Sequence, residues 1–233
     1  MRRFKFRHKE TIATIIVDEA DYYDVAVKSI LEARNEIERF CILNPDFLTS
    51  YEPMDCEGNV VGKMCWASKV AGVGPMAAVA GTIAEYAVRR MVEAGAKLAI
   101  VDNGGDIAIH SDREVIVGLY PSEFAFRLDP VEFYAVCTSS GKIGHSVSFG
   151  YADAATVFAR DASIADALAT ALGNEVKKEF GKEELKGLVE GFLERYGEYA
   201  DGFLVLKDNI IAFAGNVPEI VKAKINPDLI TKG

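Results

Sequence analysis

The sequence lacks the features of zinc fingers, membrane spans and nucleic-acid-binding surfaces. Its 233 residues include only four cysteines, and none of them forms a CxxC pair of the zinc-binding kind. The longest stretch without a charged residue, 70–84, contains three glycines and a proline, so it is too short and too broken to cross a bilayer. No run of lysine or arginine offsets the net charge of −9, which argues against nucleic acid and anionic membranes as partners.

What the chain does contain is typical of a soluble globular protein. Apolar residues make up 50% and charged residues 26%, enough for a substantial core in one domain over 1–233, with halves near 1–110 and 111–233. The basic residues of 1–9 alternate with Phe4 and Phe6, which predicts a half-exposed strand rather than a targeting peptide. We therefore expect a cytoplasmic protein whose cysteines are free thiols, namely Cys41, Cys56, Cys65 and Cys137.

Hydrophobic periodicity predicts strands and helices in an order that is roughly repeated. Helices are expected after Asp18 or Asp21, at 75–93, around Asp166 and at 183–196, and 43–63 is expected to be a long irregular connection. Strands are expected at 11–17, 97–102, 107–110, 115–120, 124–128, 133–137, 154–159, 203–206 and 210–214. The pattern favours an α+β fold of two similar halves with antiparallel strands, and not a doubly wound parallel sheet.

Residues 161–174 place a carboxylate and a hydroxyl one helical turn apart, at Asp166 and Thr170. On a helix they project from the same face, near first-turn amides that are free to bind an anion. Oxygen ligands of this kind suit Mg²⁺, which keeps other positions for water and substrate phosphates. The structural alternative is a capping box, with Ser163 as the N-cap and Asp166 as its third-position acid. Spacing alone does not decide between them.

Two glycine-rich segments are further candidates for nucleotide binding. Gly81 lies in a stripe of small side chains that either packs against another helix or a sheet, or admits a nucleotide to the helix entrance. The second segment is a predicted hairpin turn of Asn103, Gly104, Gly105 and Asp106. A turn alone explains its glycines. Asp102 and Asp106 also offer carboxylates to the polar edge of a ligand.

A dense group of polar side chains follows the strand predicted at 133–137. Its candidate site residues are Cys137, Thr138, Ser139, Ser140, His145 and Ser146. The hydroxyls supply hydrogen-bond donors for phosphate, and His145 titrates near neutrality. Serine-rich turns and single histidines also occur as purely structural features. Cys137 is either a buried core thiol or, if its neighbours lower its pKa, a nucleophile or persulfide carrier.

Three segments resemble motifs of the ApbE-like proteins, whose best-known members are flavin transferases that use FAD and magnesium to attach FMN to a threonine of a target protein. IADALATAL at 164–172 resembles the family's metal-binding ADALxTAL motif, and VDNGGDI at 101–107 resembles its NxGGDI turn. GTIAEYAV at 81–88 resembles a shortened GxIAKGYAV helix. The resemblance implies a duplicated T-fold-like α+β architecture, Mg²⁺ held by Asp166 and Thr170, FAD or FMN near the glycine-rich turn, and an acceptor protein as partner.

The chain departs from the transferase motifs at two places. Glu85 replaces their lysine, and their HIxDPxTG block has no counterpart, since CTSSG at 137–141 leads directly to GHSVSFG at 144–150. The chain is similar in this to a smaller, cytoplasmic, UPF-type branch of the superfamily. Because fold does not carry function when site residues differ, three functions stay open. They are an Mg²⁺-dependent flavin-nucleotide enzyme in which His145 or Asp106 handles the proton, a sulfur-handling protein of sulfur amino-acid biosynthesis with Cys137 as persulfide carrier, and a non-catalytic nucleotide or metabolite binder. Whether a homodimer completes the site is also open.

Overall fold

Eight strands form one antiparallel sheet in a computed structural model of the protein, which describes residues 1–141, 150–223 and 231. In chain order the described strands are β1 (Arg2–His8), β2 (Thr11–Val17), β3 (Leu98–Asn103), β4 (Asp106–Ser111), β5 (Val115–Leu119), β6 (Phe124–Leu128), β7 (Val131–Ser139), β8 (Ala154–Ala159), β9 (Gly202–Lys207), β10 (Ile210–Gly215) and β11 (Glu219–Lys222). The large sheet has the order β1-β2-β3-β4-β7-β8-β9-β10, and β11, β6 and β5 form a second, three-stranded sheet. The predicted antiparallel α+β fold is confirmed.

Helices occupy the connections between the outer and inner strands. They are α1 (Asp21–Leu43), α2 (Asp46–Thr49), α3 (Val60–Ala71), α4 (Val79–Glu93), α5 (Ala162–Glu175) and α6 (Lys182–Tyr196), and a 3-10 helix, Pro75–Ala78, leads into α4. None of the described helices is by itself long and apolar enough to cross a membrane. Only α3 and Pro75–Glu93 together have that length and composition, and they meet at a bend of 105°.

The prediction of an irregular connection over 43–63 is wrong, because α2 and the start of α3 lie within it. Seven of the twelve residues of α3 are buried, and its exposed residues include the apolar Trp66 beside Lys69, so its sequence shows no continuous polar face to mark a helix. The first amides of α3 are also capped from a distance. Glu36 of α1 accepts hydrogen bonds from the backbone of Val60 and Val61, at 2.7 and 3.0 Å.

Both faces of the large sheet are covered, and strand alternation divides the core in two. On β3, Ala99 and Val101 join the cluster formed with the helices, whereas Leu98 and Ile100 join the cluster under the three-stranded sheet. At the centre of the helical layer, α4 packs on β3 and β4 while α5 packs on β7 and β8. The N-terminal turns of α4 and α5 therefore meet above the middle of the sheet.

The order of elements recurs along the chain. A hairpin of β1 and β2 is followed by helices and then by the β3–β4 hairpin, and β7 and β8 are followed by α5, α6 and the β9–β10 hairpin. The β5–β6 hairpin lies between these two series. The assignment of 1–233 to one domain, with its halves meeting near residue 110, stays a prediction.

The expectation that all four cysteines are free thiols is wrong for one pair. Cys56 and Cys65 form a disulfide with a Cα–Cα distance of 5.9 Å, and Cys41 and Cys137 are free. The reason is local. The segment before α3 folds back along that helix and brings Cys56 against the second helical turn, where Cys65 lies, within the distance that a disulfide bridges.

Candidate functional site

Each of the two central helices has its N-terminus capped by a carboxylate of the other. Asp166 of α5 accepts a hydrogen bond through Oδ2 from the backbone amide of Gly81 in α4, at 2.8 Å. Glu85 of α4 accepts one through Oε2 from the backbone amide of Ala162, the first residue of α5, at 2.7 Å. First-turn amides have no partner within their own helix, so both contacts satisfy buried donors. We call this reciprocal contact the α4–α5 junction.

The alternative of a capping box at the start of α5, with Ser163 as the N-cap, is wrong. The N-cap is Asp161, whose carboxylate accepts a hydrogen bond from the backbone amide of Ile164 at 3.0 Å. The hydroxyl of Ser163 instead accepts a hydrogen bond from Thr82 Oγ1 of α4, at 2.8 Å. Because α5 begins at Ala162, Asp166 lies beyond the first turn and caps the neighbouring helix.

Asp166 lies beside a second carboxylate, that of the half-buried Asp106 at the start of β4. Burial raises the pKa of Asp166 to about 7, although hydrogen bonds from the backbones of Gly81 and Ala80 oppose the rise. Burial is also the main reason that the pKa of Asp106 lies well above its usual range, and the charges of Asp166 and Asp102 raise it further. Among the described residues, no lysine or arginine forms an ion pair with Asp166 or Asp106.

The pair predicted as metal ligands, Asp166 and Thr170, lies one turn apart on α5 as expected, with Asp166 only 8% exposed and Thr170 half-buried. Within the described part of the chain, no three histidine, cysteine, aspartate or glutamate side chains converge closely enough to hold a metal ion. An ion here would therefore take few protein ligands. That is the usual situation of Mg²⁺, which fills the remaining positions with water and phosphate oxygens. The oxygen donors of Asp166 and Thr170, and a buried carboxylate without a cationic partner among the described residues, fit such an ion.

The predicted hairpin turn is confirmed between β3 and β4. Gly104 and Gly105 adopt positive φ values of 74° and 107°, which a residue with a side chain rarely does. Asn103 is committed to the fold, because its Nδ2 donates to the carbonyl of Ala80 at 3.1 Å. The amide of Gly105 donates to the carboxylate of Asp102 at 3.0 Å. Gly104 is exposed at the tip of the turn.

The polar group at the end of β7 is divided between the two faces of the sheet. Cys137 lies opposite Asp106 in the strand register and points toward the helices. Ser139 also points that way, and an added Cβ on Gly173 of α5 would lie 3.5 Å from its hydroxyl. Thr138 points to the other face, where its hydroxyl lies 2.9 Å from that of Thr156. Ser140 is half-buried. The remaining candidates, His145 and Ser146, lie outside the described residues.

The environment of Cys137 disfavours a reactive thiolate. The thiol is fully buried and lies 3.6 Å from the carbonyl oxygen of Ala162. Burial, followed by the charges of Asp106 and Asp166, holds the pKa of the thiol well above its usual range. Reactive cysteines have the opposite setting, with cationic neighbours, partial exposure and a lowered pKa.

Comparison with known proteins places these features in a family. The family described as AbpE bacteria matches residues 1–185 of the chain. The chain belongs to this family. Its relatives carry the name UPF0280 protein. One from Archaeoglobus fulgidus is 62% identical over the whole of both chains, and one from Methanothrix thermoacetophila is 43% identical, again over the whole of both. The predicted ApbE-like, UPF-type branch is thereby confirmed.

Solved structures show the same fold at low sequence identity. The flavin transferase ApbE from Vibrio cholerae is 10% identical with a TM-score of 0.57, covering 92% of the UPF0280-family chain and 96% of its own. The ApbE protein from Thermotoga maritima is 12% identical with a TM-score of 0.55, covering all of both chains. At these identities the likeness shows the fold alone.

Sequence reasoning missed the partners of Glu85 in this UPF0280-family chain. Its Oε1 is in contact with Lys63 of α3 and accepts a hydrogen bond from Arg89 Nε at 2.6 Å. Lys63 Nζ also lies 2.9 Å from Asp161 Oδ2. A cavity of about 260 Å³, lined in part by Lys63, Thr82, Glu85 and Arg89, opens beside them. The four-residue spacing of Glu85 and Arg89 is readable from the sequence, but the contact with Lys63 is not.

A second missed contact involves the C-terminal part of the chain. Thr231 Oγ1 donates to Asp102 Oδ2 at 2.5 Å and lies 2.8 Å from Thr14 Oγ1. Asp102 and Thr14 are paired in register on β3 and β2. The pKa of Asp102 is raised, mainly by burial. No pattern in the sequence indicates that Thr231 contacts Asp102, which lies far from it along the chain.

Proposed function

We propose that the protein binds a flavin nucleotide, FAD or FMN, together with Mg²⁺ beside the α4–α5 junction and acts on it as a transferase-like enzyme. One observation carries the proposal: the buried Asp166 and the half-buried Asp106 lie next to each other, and no described cationic side chain pairs with them. Burying two like charges costs free energy unless a cation compensates them. A divalent ion, bound together with a phosphate, would supply that compensation.

In this proposal Asp166 and Thr170 hold Mg²⁺, whose charge neutralises phosphate oxygens when it is bound. Asp106 takes the proton from the attacking hydroxyl, because a carboxylate with a raised pKa is a better base near neutral pH than an ordinary one. His145 is the alternative proton acceptor. The resemblance to the transferases supports a threonine of an acceptor protein as the source of that hydroxyl.

The accessible candidates suggest where the nucleotide lies. Gly104 is exposed, and Ser139 and Ser140 are half-buried at the neighbouring strand end. We place the nucleotide against these three residues, because their backbone and hydroxyl groups supply donors for phosphate. Gly81 and Asn103 support the site indirectly, since the polar groups described above for both are used within the protein.

No observation favours the alternative in which Cys137 carries a persulfide, because its thiol is buried among carboxylates. The non-catalytic binder shares the site of the proposed enzyme and differs from it only in turnover. Formation of AMP from FAD, together with a flavinylated acceptor, separates the two.

The binding test uses the full chain titrated with FAD in MgCl₂ and in EDTA, followed by flavin fluorescence. We expect binding that depends on Mg²⁺ in the wild type and is lost in Asp166→Asn, which keeps the shape of the side chain but removes its charge. Asp112→Asn is the matched control, because Asp112 is an exposed carboxylate paired with Arg113 away from the junction. Equal FAD binding in EDTA and MgCl₂, or unchanged binding in Asp166→Asn, would contradict the proposal.

A further inference from the structure

The two carboxylates of the α4–α5 junction occupy equivalent places in a reciprocal arrangement. Asp166 follows Ala162 by four residues on α5, and Glu85 follows Gly81 by four residues on α4. The arrangement is therefore symmetric, because each helix gives the other a carboxylate cap from the same relative position. The junction is a matched pair of caps, and what differs between its sides is the surrounding charge.

The two sides neutralise their carboxylates differently. Glu85 is 1% exposed, and its second oxygen contacts both Lys63 and Arg89. Arg89 lies one turn after Glu85 on α4. The residue one turn after Asp166 on α5 is Thr170, which carries no charge. No described cationic side chain pairs with Asp166. Glu85 thus has cationic partners from the chain, whereas none of the described cations pairs with Asp166.

The side of the junction on which Glu85 pairs with Lys63 and Arg89 is the one that holds α5 in place. Ala162 and Asp166 lie on the same helix, so any shift of the amide held by Glu85 also moves Asp166. Lys63 adds to this hold, because its ammonium group contacts both Glu85 and the N-cap residue Asp161, which ties α3 to the start of α5.

We infer that Glu85, secured by Lys63, is a positioning residue that fixes the N-terminus of α5 and so directs Asp166 and Thr170 toward the ion. The inference rests on the proposed function and deepens it with a residue outside the ligand set. Outer partners that orient metal ligands typically change metal affinity by about 10- to 100-fold when they are removed.

The test measures Mn²⁺, as a probe for the Mg²⁺ site, by electron paramagnetic resonance on the full chain with ADP present, well below the melting temperature of each variant. We expect Glu85→Gln and Lys63→Met each to weaken Mn²⁺ binding by at least about tenfold, and Lys63→Arg to restore most of it. Glu93→Gln is the matched control, because it breaks an exposed pair with Arg90 on the same helix. Wild-type affinity in both Glu85→Gln and Lys63→Met, when folded, would overturn the inference.

Hydrogen exchange separates this inference from the proposed function. In Glu85→Gln we expect faster amide exchange in peptides covering 162–166 and also 79–83, since the caps are reciprocal. If the wild type binds no Mn²⁺, the proposed function fails. The hydrogen-exchange measurement then tests by itself whether Glu85 positions α5. Unchanged exchange in both peptides would then overturn the positioning role.

Discussion

Replacing Gly81 by alanine tests the contact between α4 and α5 with a single methyl group. A Cβ at this position would lie 2.8 Å from the Cβ of Asp166, and closer still to the carbonyl oxygen of Ala162. The obstructing atoms belong to the backbone and the base of a side chain, so α5 must move for the methyl group to fit. Moving α5 also lengthens the hydrogen bond from the Gly81 amide to Asp166.

The size of the effect follows from three contributions. Alanine in place of glycine inside a helix stabilises by about 1 kcal/mol. Overpacking costs about 1–3 kcal/mol, and loss of a hydrogen bond to a charged group costs about 1.5–3 kcal/mol. We therefore expect Gly81→Ala to lower the free energy of unfolding by about 1.5–5 kcal/mol, measured by urea denaturation followed by circular dichroism.

Gly187→Ala in α6 is the matched control, because a Cβ there meets no atom within 4 Å. It should raise the free energy of unfolding by about 0.5–1 kcal/mol. If Gly81→Ala is as stable as wild type while the control gains stability, the two helices do not touch at this point. The reciprocal capping by Asp166 would then be refuted as well.

Three further predictions concern the pH dependence of stability and the cysteines. In EDTA, the free energy of unfolding should fall as the pH rises from about 4 to about 7, because folded Asp166 keeps its proton where the unfolded chain loses it, and Asp166→Asn should flatten this slope. Cys137 should resist iodoacetamide in the native protein and react in urea; sulfide treatment that leaves a stable persulfide on Cys137 would contradict its burial. Reducing Cys56–Cys65 should lower the free energy of unfolding by about 2–3 kcal/mol, and melting curves unchanged by dithiothreitol would exclude the disulfide.

Elements with a regular pattern were predictable from the sequence. The turn at Gly104 and Gly105, the strands on either side of it and the amphipathic α6 all lie close to their predicted positions. The helix α3 was not predictable, because its exposed side carries the apolar Trp66 and its N-terminus is capped by Glu36 of another helix. The local pattern of polar residues cannot indicate a helix cap that comes from a residue 24 positions away.

The candidate site shows the same division between local and distant contacts. The one-turn spacing of Asp166 and Thr170 is a property of a helix and could be predicted. The amide that Asp166 caps lies 85 residues away, and the contact of Lys63 with Glu85 spans 22 residues. Only the folded sheet brings these partners together, so spacing alone could not show that Asp166 caps the neighbouring helix.

The three-stranded sheet of β5, β6 and β11 has a consequence for synthesis of the chain on the ribosome. Its strand β11 pairs with β6, and the link between Arg127 and Glu219 joins residues 92 positions apart. At translation rates of roughly 5–20 residues per second, Phe126 and its neighbours wait for roughly 5–20 s before their last strand emerges. The nascent chain therefore exposes the unpaired edge of β6, with its apolar side chains, during that interval.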